Sequence, residues 1–175
     1  DRDALMDLEI ETERNMLVCR QEVVKCFQYA LLQGKRVFLI SDMYLPEIVM
    51  GSLLAELGIK GYEKLLVSCD YHSSKTTGLF HIYRDMVSGE RCLHIGDNEL
   101  ADGAAFEKEG IDVFLIRSAF SLLQISNLKA LMGFAYSMKE QNALGLLLSD
   151  VFNDPFAFHV GQGVMQVGTY REWGY

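Results

Sequence analysis

The sequence predicts an α/β fold, a parallel sheet flanked by helices, and three observations carry that expectation. Between residues 34 and 120, short apolar runs alternate strictly with segments of helical length, the order of βαβ units with right-handed crossovers. The run 37–40 is uniformly apolar, too short for a helix and suited to a parallel strand buried on both faces. Polar residues follow directly on the strand ends, as in Ser41-Asp42 and Gly96-Asp97, and in open parallel sheets that edge is where ligands bind.

Taken in order, residues 4–33 place Leu5, Leu8, Ile10, Val23, Val24, Phe27 and Leu31 at helical spacing. A break over 15–20 divides the stretch into two helices. Gly34 is a plausible stop, and a strand follows over 37–40. Pro46 suits a first helical turn, where its missing N–H costs nothing, so 46–57 reads as a helix closed by Gly58. Strands are expected over 64–68, 91–95 and 112–116, and helices over 77–87 and 99–109, the latter ended by Gly110. Residues 121–148 are mostly helical, with weak points at Gly133 and Gly145, and 150–175 hold no steady period. The organisation is therefore a helical segment over 1–33, an α/β core over 34–120, and an extension or the start of another module over 121–175.

With 175 residues, 50% of them hydrophobic and 23% charged, the chain can build one domain with a real core. A net charge of −8 argues against nucleic acid as a partner, because such binding rests on clustered Lys and Arg. A phosphate ligand would need local help from a metal or backbone amides. Cys19, Cys26, Cys69 and Cys92 form no CxxC pair and no zinc spacing, which reads as buried thiols in a reducing compartment. No apolar run approaches the ~20 residues of a membrane span and no signal peptide is visible, so a cytoplasmic location is expected. There is no GxxxxGK[ST] loop and no GxGxxG after a strand, hence no reason to invoke ATP or NAD. The opening on Asp1, directly into a helical pattern, reads as a piece of a longer polypeptide.

Asp97 and Asp102 head the candidate residues. Either they bind a hard cation, one directly and one in support, or Asp97, Asn98 and Glu99 merely cap a helix start. Ser41 offers a hydroxyl, and the following N–H groups, to a phosphoryl oxygen; its alternative is an ordinary N-cap. Asp42 is a cap or a second polar contact. Lys75 sits in the polar loop Asp70-Tyr71-His72-Ser73-Ser74-Lys75-Thr76-Thr77-Gly78, where an ammonium neutralises a phosphate and a carboxylate or is simply solvated. His94, inside a strand, reads as a satisfied core histidine.

The order strand-Ser, loop-Lys, strand-Gly-Asp-x4-Asp resembles motifs two to four of the haloacid dehalogenase superfamily of phosphatases and phosphotransferases, over about residues 20–117. The segments Ser41-Asp42-Met43-Tyr44-Leu45-Pro46 and His94-Ile95-Gly96-Asp97-Asn98 are most similar to a subgroup of hydrolases found with bacterial polysaccharide-synthesis and glycosyltransferase proteins. The resemblance implies a Rossmann-like sheet, Mg²⁺ as cofactor, and a small phosphorylated substrate such as a sugar phosphate. It also implies the roles: Ser41 at the phosphate, Lys75 at phosphate and nucleophile, Asp97 on Mg²⁺ with Asp102 in support; Asp42, as the second polar contact, is expected beside Ser41 at the phosphate.

The superfamily's first motif, an Asp-x-Asp-x-Thr loop after a strand, is not found. Asp1-Arg2-Asp3 has the spacing, but no strand precedes it and a helical pattern begins at once. The expectation is that the nucleophile lies upstream, that residues 1–33 end a cap insertion, and that this chain alone is inactive. The missing strand would lie between the strands ending at Ser41 and Ile95. Its place would be filled by a separate N-terminal piece, a neighbouring molecule, or the tail, where 164–170 is the one candidate strand. Two readings follow: part of a Mg²⁺-dependent phosphoester hydrolase using an aspartyl-phosphate intermediate, or a non-catalytic binding module attached to other domains.

Overall fold

The structure, a computed structural model, describes residues 1–156; the expected strand over 164–170 lies outside them. Helices α1 (Arg2–Met16) and α2 (Gln21–Leu32) are parted at 17–20, within the expected break. Asp1 is the N-cap of α1, its side chain accepting from the Asp3 N–H, so Asp1-Arg2-Asp3 begins a helix rather than ending a strand. Gly34, at φ 68°, stops α2: its N–H donates to Leu31 O while the Lys35 N–H donates to Ala30 O, a pair of bonds that needs a left-handed residue.

Strand β1 (Phe38–Ser41) pairs in parallel with β2 (Lys64–Val67), Ser41 opposite Val67. Strand β3 (Leu93–Gly96) pairs in parallel with β4 (Asp112–Leu115), Gly96 opposite Leu115. Helix α3 (Glu47–Glu56) connects β1 to β2, while α4 (Ser68–Tyr71) and α5 (Leu79–Met86) connect β2 to β3. The architecture is thus mixed α/β with flanking helices. Among the described residues the strands form two separate two-stranded sheets, with no ladder joining β1 to β3.

One core serves both pairs. Leu66, Leu79, Phe80, Tyr83, Val87 and Phe106 are buried together, with Phe38 and Ile40 of β1 and Val113 of β4 packed against them. Fully burying such a side chain stabilises by about 1.5–3 kcal/mol, enough for a few of them to hold the pairs together without a shared ladder. The opposite face of β3 and β4 leaves Leu93, Ile95 and Phe114 exposed.

The segment expected as one helix over 99–109 is instead a π-helical turn (Glu99–Ala104) followed by the single α-turn α6 (Ala105–Glu107). The cause is local. Asn98 O accepts from Asp102 N at 2.7 Å and from Gly103 N at 3.1 Å, and the second bond spans the wider turn.

Helix α7 (Ala119–Ile125), a 3₁₀ turn (Lys129–Phe134) and α8 (Met138–Val151) form the extension around Leu122, Leu123 and Phe152. Serines break the helical run that the sequence suggested. Ser126 turns the chain by donating to Leu123 O and accepting from Leu128 N, and Ser137 starts α8 through a capping box with Glu140. Gly145 lies inside α8 without ending it. The cysteines are free thiols, with Cys26 exposed and the other three half-buried, more open than expected. Among the described residues no helix is long and apolar enough to cross a membrane.

Candidate functional site

Asp102 anchors the carboxyl edge. The π turn carries it back over Gly96, and its side chain is almost wholly buried, 3% exposed. Oδ1 accepts from Lys75 Nζ at 2.7 Å and faces His94 Nε2 at 3.0 Å, while Oδ2 accepts from the Asn98 N–H at 3.1 Å. Burial alone would raise this carboxyl. The hydrogen bonds from His94 and Lys75, the Lys75 charge and the Asn98 N–H outweigh it and hold Asp102 well below the usual carboxylate range. With Asp102 ionised, His94 Nε2 carries the proton, and the imidazole stacks flat on Phe106 at 3.6 Å. His94 is a satisfied histidine, as expected, but its partner belongs to the site.

Lys75 joins the two strand pairs. Its backbone N–H donates to Asp42 Oδ1 at 2.8 Å, just beyond β1, while its Nζ reaches Asp102 beyond β3. The loop after β1 is held from a second side. Ser68 Oγ accepts from Met43 N and donates to Met43 O, and Asp70 Oδ2 accepts from the Glu47 N–H at the start of α3. Lys75, read from sequence as a loop residue that could be merely solvated, has a side chain only 16% exposed.

The remaining candidates sit around this bridge. Ser41 ends β1 half-buried, next to Asp42. Asp97 follows β3, its carboxylate 47% exposed and 3.9 Å from Arg20 Nη1. Asp42, Lys75 and Asp102 are therefore joined by direct hydrogen bonds, whereas Asp97 pairs with a residue from the α1–α2 loop. Arg20 went unnoticed in the sequence because it lies in an irregular break where no periodicity or motif marks it. The role of Asn98 is clearer in structure than in sequence: its side chain caps the π turn, accepting from Leu100 N and Ala101 N.

For a divalent cation, Asp97 is the carboxylate with room. Asp102 has both oxygens engaged, and Asp42 gives one of its two to the Lys75 N–H. Among the described residues no three His, Cys, Asp or Glu gather as a metal centre. A Mg²⁺ ion at Asp97 would meet a single protein carboxylate, beside the Arg20 guanidinium, and would keep most of its waters. No protein-family model and no curated protein matches the chain. Fold and site together define a mixed α/β protein whose separate parallel pairs are joined, at their carboxyl ends, by one lysine.

Proposed function

We propose that this chain carries the phosphate-binding part of a Mg²⁺-dependent phosphoester hydrolase of haloacid dehalogenase type, its nucleophilic aspartate supplied by residues outside this sequence. The observation that supports the reading is the Lys75 bridge, in which the backbone N–H holds Asp42 after β1 while the ammonium is held on Asp102 after β3. A phosphoryl group at this edge would meet the Ser41 hydroxyl and the Lys75 charge. Asp102, with His94 and the Asn98 N–H behind it, keeps the ammonium in place, so the lysine needs no reorganisation when negative charge develops. Asp97 would hold Mg²⁺, which when bound neutralises charge on phosphoryl oxygens. Catalysis of this type is mostly positioning and charge stabilisation. The substrate class is a small phosphate ester such as a sugar phosphate.

A second reading, a non-catalytic phosphate-binding module attached to a polysaccharide-synthesis or glycosyltransferase protein, draws on a different observation. Asp102, the carboxylate beside the Lys75 ammonium, has both oxygens in hydrogen bonds, so it does not stand free as a nucleophile.

Calorimetric titration with inorganic phosphate in the presence of Mg²⁺ tests the binding claim common to both readings. Weak binding abolished by Ser41→Ala and by Asp97→Asn is expected; binding indifferent to both substitutions rules the site out. Mg²⁺ binding at micromolar strength or better would mean ligands other than Asp97.

A further inference from the structure

We propose that Arg20 is a positioning residue that sets the place of Asp97, puts a positive charge beside it, and makes the C-terminal extension part of the site. The proposal rests on the reading of Asp97 as the metal carboxylate. Arg20 stands in the loop between α1 and α2, and its guanidinium is fixed by two carbonyl oxygens. Nε donates to Asn153 O at 3.0 Å and Nη2 to Arg117 O at 2.8 Å. Asn153 answers the first bond, its Nδ2 donating to Cys19 O at 2.9 Å. The loop and the residues after α8 therefore clasp each other in both directions.

The clasp lies at the carboxyl ends of β3 and β4. Gly96 and Leu115 are paired, and the Ile116 N–H donates to Gly96 O, so Arg117 and Asp97 leave neighbouring strands side by side. With Nε and Nη2 fixed, Nη1 is left 3.9 Å from Asp97 Oδ2. That is too long for a hydrogen bond, so the attraction is Coulombic and Asp97 keeps its oxygens for another ligand. The Arg20 side chain is only 22% exposed, so solvent screens its charge less than it would on an open surface.

Two opposite consequences follow. The Arg20 charge works against a divalent cation at Asp97 and in favour of an anion at the same edge. An arginine that merely holds the extension in place would not separate these effects, since loosening the loop would weaken both ligands together.

The experiment uses the full 175-residue chain as wild type and as Arg20→Met, Arg20→Lys and Asn153→Ala. Mg²⁺ and inorganic phosphate are titrated separately by calorimetry, and amide spectra are recorded by ¹H–¹⁵N NMR without Mg²⁺. Arg20→Met should tighten Mg²⁺ by about tenfold and weaken phosphate, whereas Arg20→Lys, which keeps the charge, should leave Mg²⁺ near the wild-type affinity. Asn153→Ala should shift the Asp97 and Asn98 amide signals even though its side chain does not touch them. Weaker Mg²⁺ binding in Arg20→Met, or unmoved Asp97 and Asn98 signals in Asn153→Ala, overturns the proposal. If no protein binds Mg²⁺, the metal reading of Asp97 fails, and the amide shifts alone then decide whether Arg20 positions Asp97.

Discussion

Gly96 and Asp102 compete for one volume: a Cβ placed on Gly96 would lie 2.3 Å from Asp102 Cγ and 2.5 Å from its Oδ2. Both partners belong to rigid elements, a strand end and a π turn, so neither can yield cheaply. Gly96→Ala should push the carboxylate off Lys75 and destabilise the fold by about 3 kcal/mol, the scale of a broken buried ion pair. Urea denaturation measures the loss; a change below about 1 kcal/mol would mean that Asp102 has another place to go. Gly145→Ala makes the contrasting case. With nothing within 4 Å of its Cβ and a position inside α8, it should stabilise by roughly 0.5–1 kcal/mol.

Removing the ammonium should be as costly as displacing its partner. Lys75→Met leaves Asp102 buried with His94 and one N–H but without its full countercharge. A loss of about 3–5 kcal/mol is expected, much of it the penalty of the stranded carboxylate. The double variant Lys75→Met/Asp102→Leu should recover part of that loss. Additive losses in the double variant would show that the two side chains do not interact.

The same carboxylate sets an acid limit. Asp102 lies below its ordinary value in the folded state, whereas in the unfolded chain it titrates near the usual ~3.9. Its contribution is therefore complete above the unfolded value and is lost as pH falls below about 4 toward the folded value. Urea midpoints between pH 2 and 7 should show a steep loss below pH 4 in wild type, with a shallower one in Asp102→Asn. Parallel curves for the two proteins would remove Asp102 as the cause.

The legible part of the molecule is the part governed by local chemistry. The runs 37–40 and 112–116 become β1 and β4 to within a residue or so, and Gly34 stops α2 because its left-handed conformation is a local demand. Lys75 and Asp102 were legible as residue types after strand ends, but their mutual bond was not, since it depends on a π turn that one bond from Gly103 to Asn98 creates. Arg20 was out of reach because each of its partners, Asn153, Arg117 and Asp97, is distant in sequence. In the extension the helix boundaries fall at serines rather than at Gly133 and Gly145: Ser126 ends α7 and Ser137 starts α8.

The proposed function requires that the carboxyl edge bind a phosphate ester without the means to cleave it. Phosphorus NMR of an aryl phosphate with Mg²⁺ and the full chain tests both halves in one spectrum. The ester resonance should be broadened by wild type and sharp again with Asp97→Asn or Ser41→Ala, with no growth of the inorganic phosphate signal. An ester line that stays sharp with wild type would remove the site; inorganic phosphate released by wild type but not by Asp97→Asn would show that the chain carries a nucleophile after all.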